Sequence, residues 1–277
     1  MKELKPLRIS KSNDLVMASY RLTLNEQRLL LAAICKLDPR RPMPKVVTVT
    51  ASDYADIYKI PIRHAYQYLK DSADDLYDRD IQTFDGKGME RKRWVDKARY
   101  VPGEGRVDLS FTIHVMPYLS MLHSKVTTYD LRRVANLESS HSFRFFEMLM
   151  QFRSTGWAYI EVDSLRIALG LGEAYQRFNN LRQRVIDPAI NELKEKSGLE
   201  ITYELKSAGR KVTAIKFMFR DTLQMPLALD DPNKIGVSFP EVVPATEDEG
   251  EWTLTRPLGE LAQEQMDEFI AVEAVAG

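Results

Sequence analysis

The chain has 277 residues, 44% hydrophobic and 29% charged, a composition of about two soluble globular domains on a prior of roughly 150 residues each. It has no apolar run of about 18 residues, which excludes a transmembrane helix and leaves no membrane partner expected. The net charge of −1 conceals a division: residues 222–277 hold 12 acidic and two basic residues, net −10, so residues 1–221 keep 37 basic and 28 acidic residues, net +9. A basic body with an acidic appendage suits a polyanion partner.

The opening MKELKPLRIS lacks the apolar core of a secretory signal and reads, over residues 1–10, as a loose leader. Thr23 with Glu26 forms a capping box opening a helix through about Lys36, which Pro39 and Pro42 end. Cys35, the single cysteine, lies in that apolar run and fits a reducing cytoplasm. Val46–Thr50 alternates as a strand, and Ser52 then caps a short helix through about Tyr58. Pro61 opens a longer helix with Ala65, Tyr68, Leu69, Ala73 and Leu76 at helical spacing. Ile81–Phe84 is a strand followed by an Asp85-Gly86 turn. Arg93–Val101 and Val107–Val115 form a hairpin around Pro102-Gly103-Glu104-Gly105. Pro117–Met121 is a short helix or turn, and 122–139 joins the two halves.

The second half is one complete winged helix. Ser140 caps a helix with Phe143, Phe146, Leu149 and Phe152 among its apolar positions. Trp157–Glu161 is a strand. Ser164–Leu169 is a short helix that Gly170-Leu171-Gly172 breaks. A second helix carries Phe178, Leu181 and Val185 on one side, and Asp187-Pro188 stops or kinks it, with Pro188 placed for a new first turn. Strands on Leu199–Leu205 and Ile215–Phe219 flank the turn Lys206–Lys211. Both halves thus share one order: helix, strand, short helix, longer helix, hairpin. The tripeptide Ala-Tyr-Gln, at 65–67 and 174–176, opens the longer helix each time. The fold class is α+β: two tandem winged-helix domains, 1–135 and 136–221, followed by a partly disordered acidic tail, 222–277, in which 257–274 can form an amphipathic helix.

With Phe178, Leu181 and Val185 inward, Gln176, Arg177, Asn180, Gln183 and Arg184 face outward at about 100° per residue. Arg pairs with guanine and Asn or Gln with adenine, so this face has the residue types of base readout. Arg182 falls at the edge of the apolar side. The basic hairpin residues Lys206, Arg210 and Lys211 fit phosphate contacts. In the first half, Arg63, His64, Gln67 and Lys70 share the polar side of the longer helix, while Asp71, Asp74, Asp75 and Asp78 repel phosphate at its far end. Arg91-Lys92-Arg93 is a second backbone-contact candidate. Leu15, Leu22 and Leu29 recur every seven residues, but the capping box at Thr23 interrupts a continuous helix, which favours core packing over a zipper. The catalytic search is negative. No G-x-x-x-x-G-K-[ST] is present, and His64, His114, His123 and His141 are never within two residues of one another, so neither a nucleotide loop nor a His-x-His metal site is expected, and no cofactor.

Several segments together resemble the iteron-binding plasmid replication initiators of the RepA/RepE/π type. They are Lys11-Ser12-Asn13-Asp14-Leu15, Ala18-Ser19-Tyr20-Arg21-Leu22, Leu24-Asn25-Glu26-Gln27-Arg28, Pro117-Tyr118-Leu119, Tyr175-Gln176-Arg177 and Leu181-Arg182-Gln183-Arg184, over roughly residues 8–221. The resemblance implies a non-enzymatic bacterial, plasmid-encoded cytoplasmic protein that binds directly repeated origin sequences (iterons) in double-stranded DNA. It also implies origin opening as a monomer, recruitment of the host initiator and replicative helicase, and a homodimer, joined through the N-terminal domain, that represses its own promoter. Most base contacts then fall to Arg177, Arg182 and Arg184, and backbone contacts to the N-terminal domain. A winged-helix transcription repressor without an initiator role is the alternative; several direct repeats beside the gene favour the first and one inverted repeat the second.

Overall fold

The structure, a computed structural model, describes residues 7–84, 88–123 and 125–222. The acidic segment 226–256, the amphipathic stretch 257–274, the Asp85-Gly86 turn and the first six residues of the expected leader lie outside the described residues.

The first winged helix begins with α2 (Leu24–Ile34). Its capping box is closed: Thr23 Oγ1 accepts from the Glu26 N–H at 3.4 Å, and the Thr23 N–H donates to Glu26 Oε2 at 2.8 Å. Then come β2 (Val47–Thr50), α3 (Ala51–Tyr58), α4 (Ile62–Tyr77), a hairpin of β3 (Asp80–Phe84) and β4 (Met89–Arg93), and the wing of β5 (Val95–Val101) and β6 (Arg106–Phe111). The cap of α3 is Thr50, boxed with Asp53, rather than Ser52. The expected strand from Arg93 is split, because Trp94 leaves the ladder to bury itself edge-on against Tyr20, ring centroids 5.0 Å apart.

The second winged helix repeats this order without the β3–β4 hairpin: α5 (Ser140–Met150), β8 (Trp157–Glu161), α6 (Val162–Ala168), a long helix from Phe178 to Ser197, and the wing of β9 (Leu199–Ala208) and β10 (Lys211–Asp221). Ser140 is the first residue of α5 and not its cap; Ser139 holds the cap position without a side-chain bond. The sheets match as well. In each unit the strand after the first helix pairs antiparallel with the last strand, giving β2-β6-β5 and β8-β10-β9.

The first elements of the chain and the strand that pairs with the first of them were not legible in the sequence, nor was β4. Arg8–Ser12, whose first three residues were expected as leader, is strand β1, and Val126–Asp130, expected as part of the joining segment, is strand β7. They pair antiparallel from Arg8↔Asp130 to Ser12↔Val126. A short helix, α1 (Asn13–Met17), follows β1. The β1–β7 ribbon lies against α5, where Tyr129 meets Phe146 edge-on at 5.2 Å. One continuous cluster of buried side chains runs through both units, from Leu29 and Trp94 to Phe143, Leu181 and Phe217. Leu15, Leu22 and Leu29 all belong to it, so the heptad spacing serves core packing.

Candidate nucleic-acid interface

The long helix of the second unit has three parts: α7 (Phe178–Leu181), a π-helical turn (Arg182–Ile186) and α8 (Asp187–Ser197). Pro188 does not stop it. Proline has no N–H, and its ring crowds the carbonyl four residues back, so a straight α-helix through Pro188 is unfavourable. The helix widens instead: the Asp187 N–H donates to the Arg182 carbonyl, five residues back, and an ordinary α-helix resumes with proline in its first turn. The buried side holds Leu181, Val185, Ile186, Ala189, Ile190 and Leu193.

The other side is the predicted readout face. Asn180, Gln183 and Arg184 are exposed on the helix, as is the unpredicted Asn179. Gln176 and Arg177 are exposed too, but they precede the helix, Arg177 as its cap residue in extended conformation. The two Ala-Tyr-Gln segments therefore differ in place: 65–67 lies in the first turns of α4, whereas 174–176 lies in the turn before α7. Arg182 is the least available of the set. Its Nε lies 3.8 Å from Asp187 Oδ2, and its side chain is 36% exposed.

Asp187 also fixes the wing to the helix. Tyr203 of β9 donates its hydroxyl to Asp187 Oδ1 at 2.7 Å, and burial together with that carboxylate pushes the Tyr203 hydroxyl up to about 12. The wing turns tightly at Gly209-Arg210, with Ala208 paired to Lys211, so Lys206 sits on β9 rather than in the turn. Lys206, Arg210 and Lys211 are all exposed at this tip.

One residue that sequence reasoning missed positions the approach to the helix. Arg166 of α6 donates to the carbonyls of Gly172 at 3.0 Å, Ala174 at 2.6 Å and Tyr175 at 2.5 Å. These carbonyls belong to a turn that needs left-handed backbone at Gly172 (φ 52°) and at Tyr175 (φ 54°), which is costly for a tyrosine. The available signal was the pair Gly170 and Gly172, which announces a turn whose carbonyls need donors.

Counter-charge separates the two units. Arg177, Arg184, Lys206, Arg210 and Lys211 have no carboxylate partner among the described residues. In the first unit Arg91 is bound to Asp80, and Arg93 Nη1 meets Asp78 Oδ1 at 3.2 Å. Gln67 donates to both oxygens of Asp71, at 2.7 and 2.8 Å. Lys92 points inward, only 6% exposed, and donates to the Tyr118 hydroxyl at 3.1 Å, so strand pleating divides the expected Arg91-Lys92-Arg93 cluster. Arg63, His64 and Lys70 remain exposed on α4 without a carboxylate among the described residues.

The family model for the first winged helix of initiator replication proteins matches residues 8–150, and that for the second winged helix of initiator Rep proteins matches 161–219. The chain belongs to the initiator replication protein family. A replication initiation protein of Escherichia coli is 27% identical over 236 residues, covering 81% of this chain and 73% of that one. The PI protein of Escherichia coli is 26% identical over 254 residues, covering 78% of this chain and 83% of the relative. The fold is that of Pi initiator protein in its crystal structure with iteron DNA, at a TM-score of 0.66 and 23% identity, over 78% of this chain and 98% of that one. Among the described residues no group of three or more His, Cys, Asp or Glu side chains is arranged to hold a metal ion, and no helix is long and apolar enough to cross a membrane.

Proposed function

We propose that this chain is a plasmid replication initiator that binds directly repeated origin sequences, as the similar Pi protein is crystallised with iteron DNA. The second unit reads the repeat. Asn180, Gln183 and Arg184 enter the major groove, Arg177 and Gln176 meet the bases or backbone at the helix start, and Lys206, Arg210 and Lys211 lie on phosphates. Arg182 serves mainly to hold Asp187 and contacts DNA at most from the edge. The first unit adds backbone contacts through Arg63 and Gln67, with Arg91 and Arg93 secondary because carboxylates already hold them. The initiator acts by binding, with no covalent step of its own: it opens the origin as a monomer, recruits the host initiator and helicase in the bacterial cytoplasm, and represses its promoter as a dimer.

The observation that carries this reading is the set of exposed cations without counter-charge among the described residues, at the helix start, the helix face and the wing tip of one winged helix. Burying them against phosphate breaks no ion pair among the described residues. Fluorescence anisotropy with a duplex carrying one upstream direct repeat, against a scrambled duplex across a salt series, tests it. The natural chain should prefer the repeat, and Arg184→Ala should weaken that preference by about 1–3 kcal/mol while leaving scrambled binding nearly unchanged. Equal, steeply salt-dependent binding to both duplexes would overturn it.

A further inference from the structure

The same cations have a second potential occupant within the chain. Past the described body lie 12 of its 40 acidic residues, the densest run being Glu247-Asp248-Glu249 followed by Glu251. The body to which this segment is joined carries a net charge of +9.

The point of attachment is fixed. Thr222 donates its N–H to the Gly198 carbonyl at 2.9 Å and its hydroxyl to the same carbonyl at 2.8 Å, which anchors the end of β10 beside the start of β9. From there β10 leads straight back to Lys211 at the wing tip, about 34 Å away at ~3.4 Å per residue. The 25 residues from 223 to 247 span up to about 85 Å when extended, so the acidic run reaches the wing with slack. A tether of this kind holds a ligand at an effective concentration on the order of millimolar.

We propose that the acidic run Glu247–Glu251 docks on the basic face of the second winged helix, at Lys206, Arg210, Lys211 and Arg184, and competes there with DNA phosphate. This rests on the reading of that face as the DNA-binding surface. The contact lowers apparent affinity for all duplexes, and it lowers weak non-specific binding to the point where only a good repeat displaces the acidic run. It is ionic and exposed, so it weakens as salt shortens the screening length from about 10 Å at 0.1 M.

The test uses the full chain and its full-length variant Glu247→Gln/Asp248→Asn/Glu249→Gln/Glu251→Gln. Zero-length carbodiimide coupling without DNA, read by mass spectrometry, should join carboxylates of 247–251 to Lys206 or Lys211, and excess duplex should abolish those products. In anisotropy the variant should bind both repeat and scrambled duplexes at least threefold tighter at about 50 mM salt, with the gap closing by about 300 mM. Coupling to other lysines only, products that survive saturating duplex, or unchanged affinity of the variant would each overturn the proposal. If neither chain prefers the repeat, the origin-binding reading fails instead, and the coupling pattern without DNA still decides whether the acidic run docks.

Discussion

Lys11 and Glu147 form an ion pair of 2.7 Å with neither side chain exposed to solvent. Lys11 lies on β1 near the start of the chain, Glu147 on α5, the first helix of the second winged helix. The Tyr129 hydroxyl donates to the same carboxylate oxygen at 2.6 Å, and Arg144 Nη1 approaches the other at 3.4 Å. Arg144 in turn donates to the Val16 and Ala18 carbonyls at 2.8 Å and to the Ala168 carbonyl at 2.9 Å, and it bonds the Tyr20 hydroxyl. The two units are therefore joined through a buried polar cluster in which the Lys11 and Glu147 charges are paired and the Tyr20 and Tyr129 hydroxyls bonded, with Arg144 Nε alone of its atoms left without a partner. That is the condition under which buried charge is tolerated.

Breaking this pair from one side should be costly. Glu147→Gln, or Lys11→Met alone, leaves one buried charge without its partner and should destabilise by about 3–5 kcal/mol in denaturant melts. The double change Lys11→Met/Glu147→Leu should cost clearly less than the sum of the single changes. Burial by itself would raise the Glu147 pKa, but Lys11 and Arg144 outweigh it and hold the carboxyl below its ordinary value of 4.5. A lowered folded-state pKa contributes stability that is present above the unfolded value and is lost as pH falls through the folded pKa. The denaturation midpoint should therefore fall on acidification below about pH 4.5, and Glu147→Gln should flatten that decline; an unchanged slope would assign it to other carboxylates.

Gly170 and Gly209 give a matched comparison. Both have left-handed backbone, φ 60° and 61°. A Cβ at Gly170 would stand 2.7 Å from the Tyr20 carbonyl oxygen across the junction between the units, whereas at Gly209 it would meet nothing within 4 Å. Gly209→Ala should thus cost only the conformational penalty, about 1–2 kcal/mol. Gly170→Ala should cost more, because a backbone atom must move, and its thermal midpoint should be the lower of the two.

Arg166→Ala tests the turn before the proposed recognition helix. Three carbonyls lose their donor at the surface, where water replaces it, so stability should change by less than about 1 kcal/mol. The left-handed Tyr175 loses its restraint, and Gln176 and Arg177 lose fixed positions. Repeat binding should weaken several-fold with scrambled binding unchanged. Arg166→Lys should not restore it, since a point-like ammonium cannot match the planar fork.

Cations already held by carboxylates should contribute less to DNA binding than free ones. Lys206→Ala/Arg210→Ala/Lys211→Ala should reduce the slope of log affinity against log salt by about 0.9 for each phosphate left without its cation. Arg91→Ala/Arg93→Ala should change it by less than one such step, because Asp80 and Asp78 compete for these arginines. Equal slopes for the two variants would return the first hairpin to the main interface.

Local sequence chemistry determined the two winged helices. The capping box at Thr23, helical apolar spacing through Ala65 to Leu76, the glycines at 170 and 172, and strand alternation on both sides of Gly209 are short-range signals. Each acts through backbone propensity or a side-chain period confined to one element. The outward face of Asn180, Gln183 and Arg184 followed from the same periodicity.

Only the tertiary structure decided what depends on partners distant in sequence. Arg8–Ser12 becomes a strand because 126–130 lies beside it, and neither segment alone has a pattern strong enough to show it. Lys92 is buried and Arg91 and Arg93 exposed because β4 pairs with β3 and pleats. Pro188, which by itself signals a stop, is carried inside a helix because α8 packs against α5 and a π turn absorbs the missing bond. Lys11 and Glu147, 136 residues apart, become a buried pair only when the first strand folds against the second unit. The main elements of the two winged helices were thus set by interactions within a few residues, while the β1–β7 ribbon, the junction between the units and the division of cations into paired and free required the closed fold, where Coulomb energy depends on distance in space.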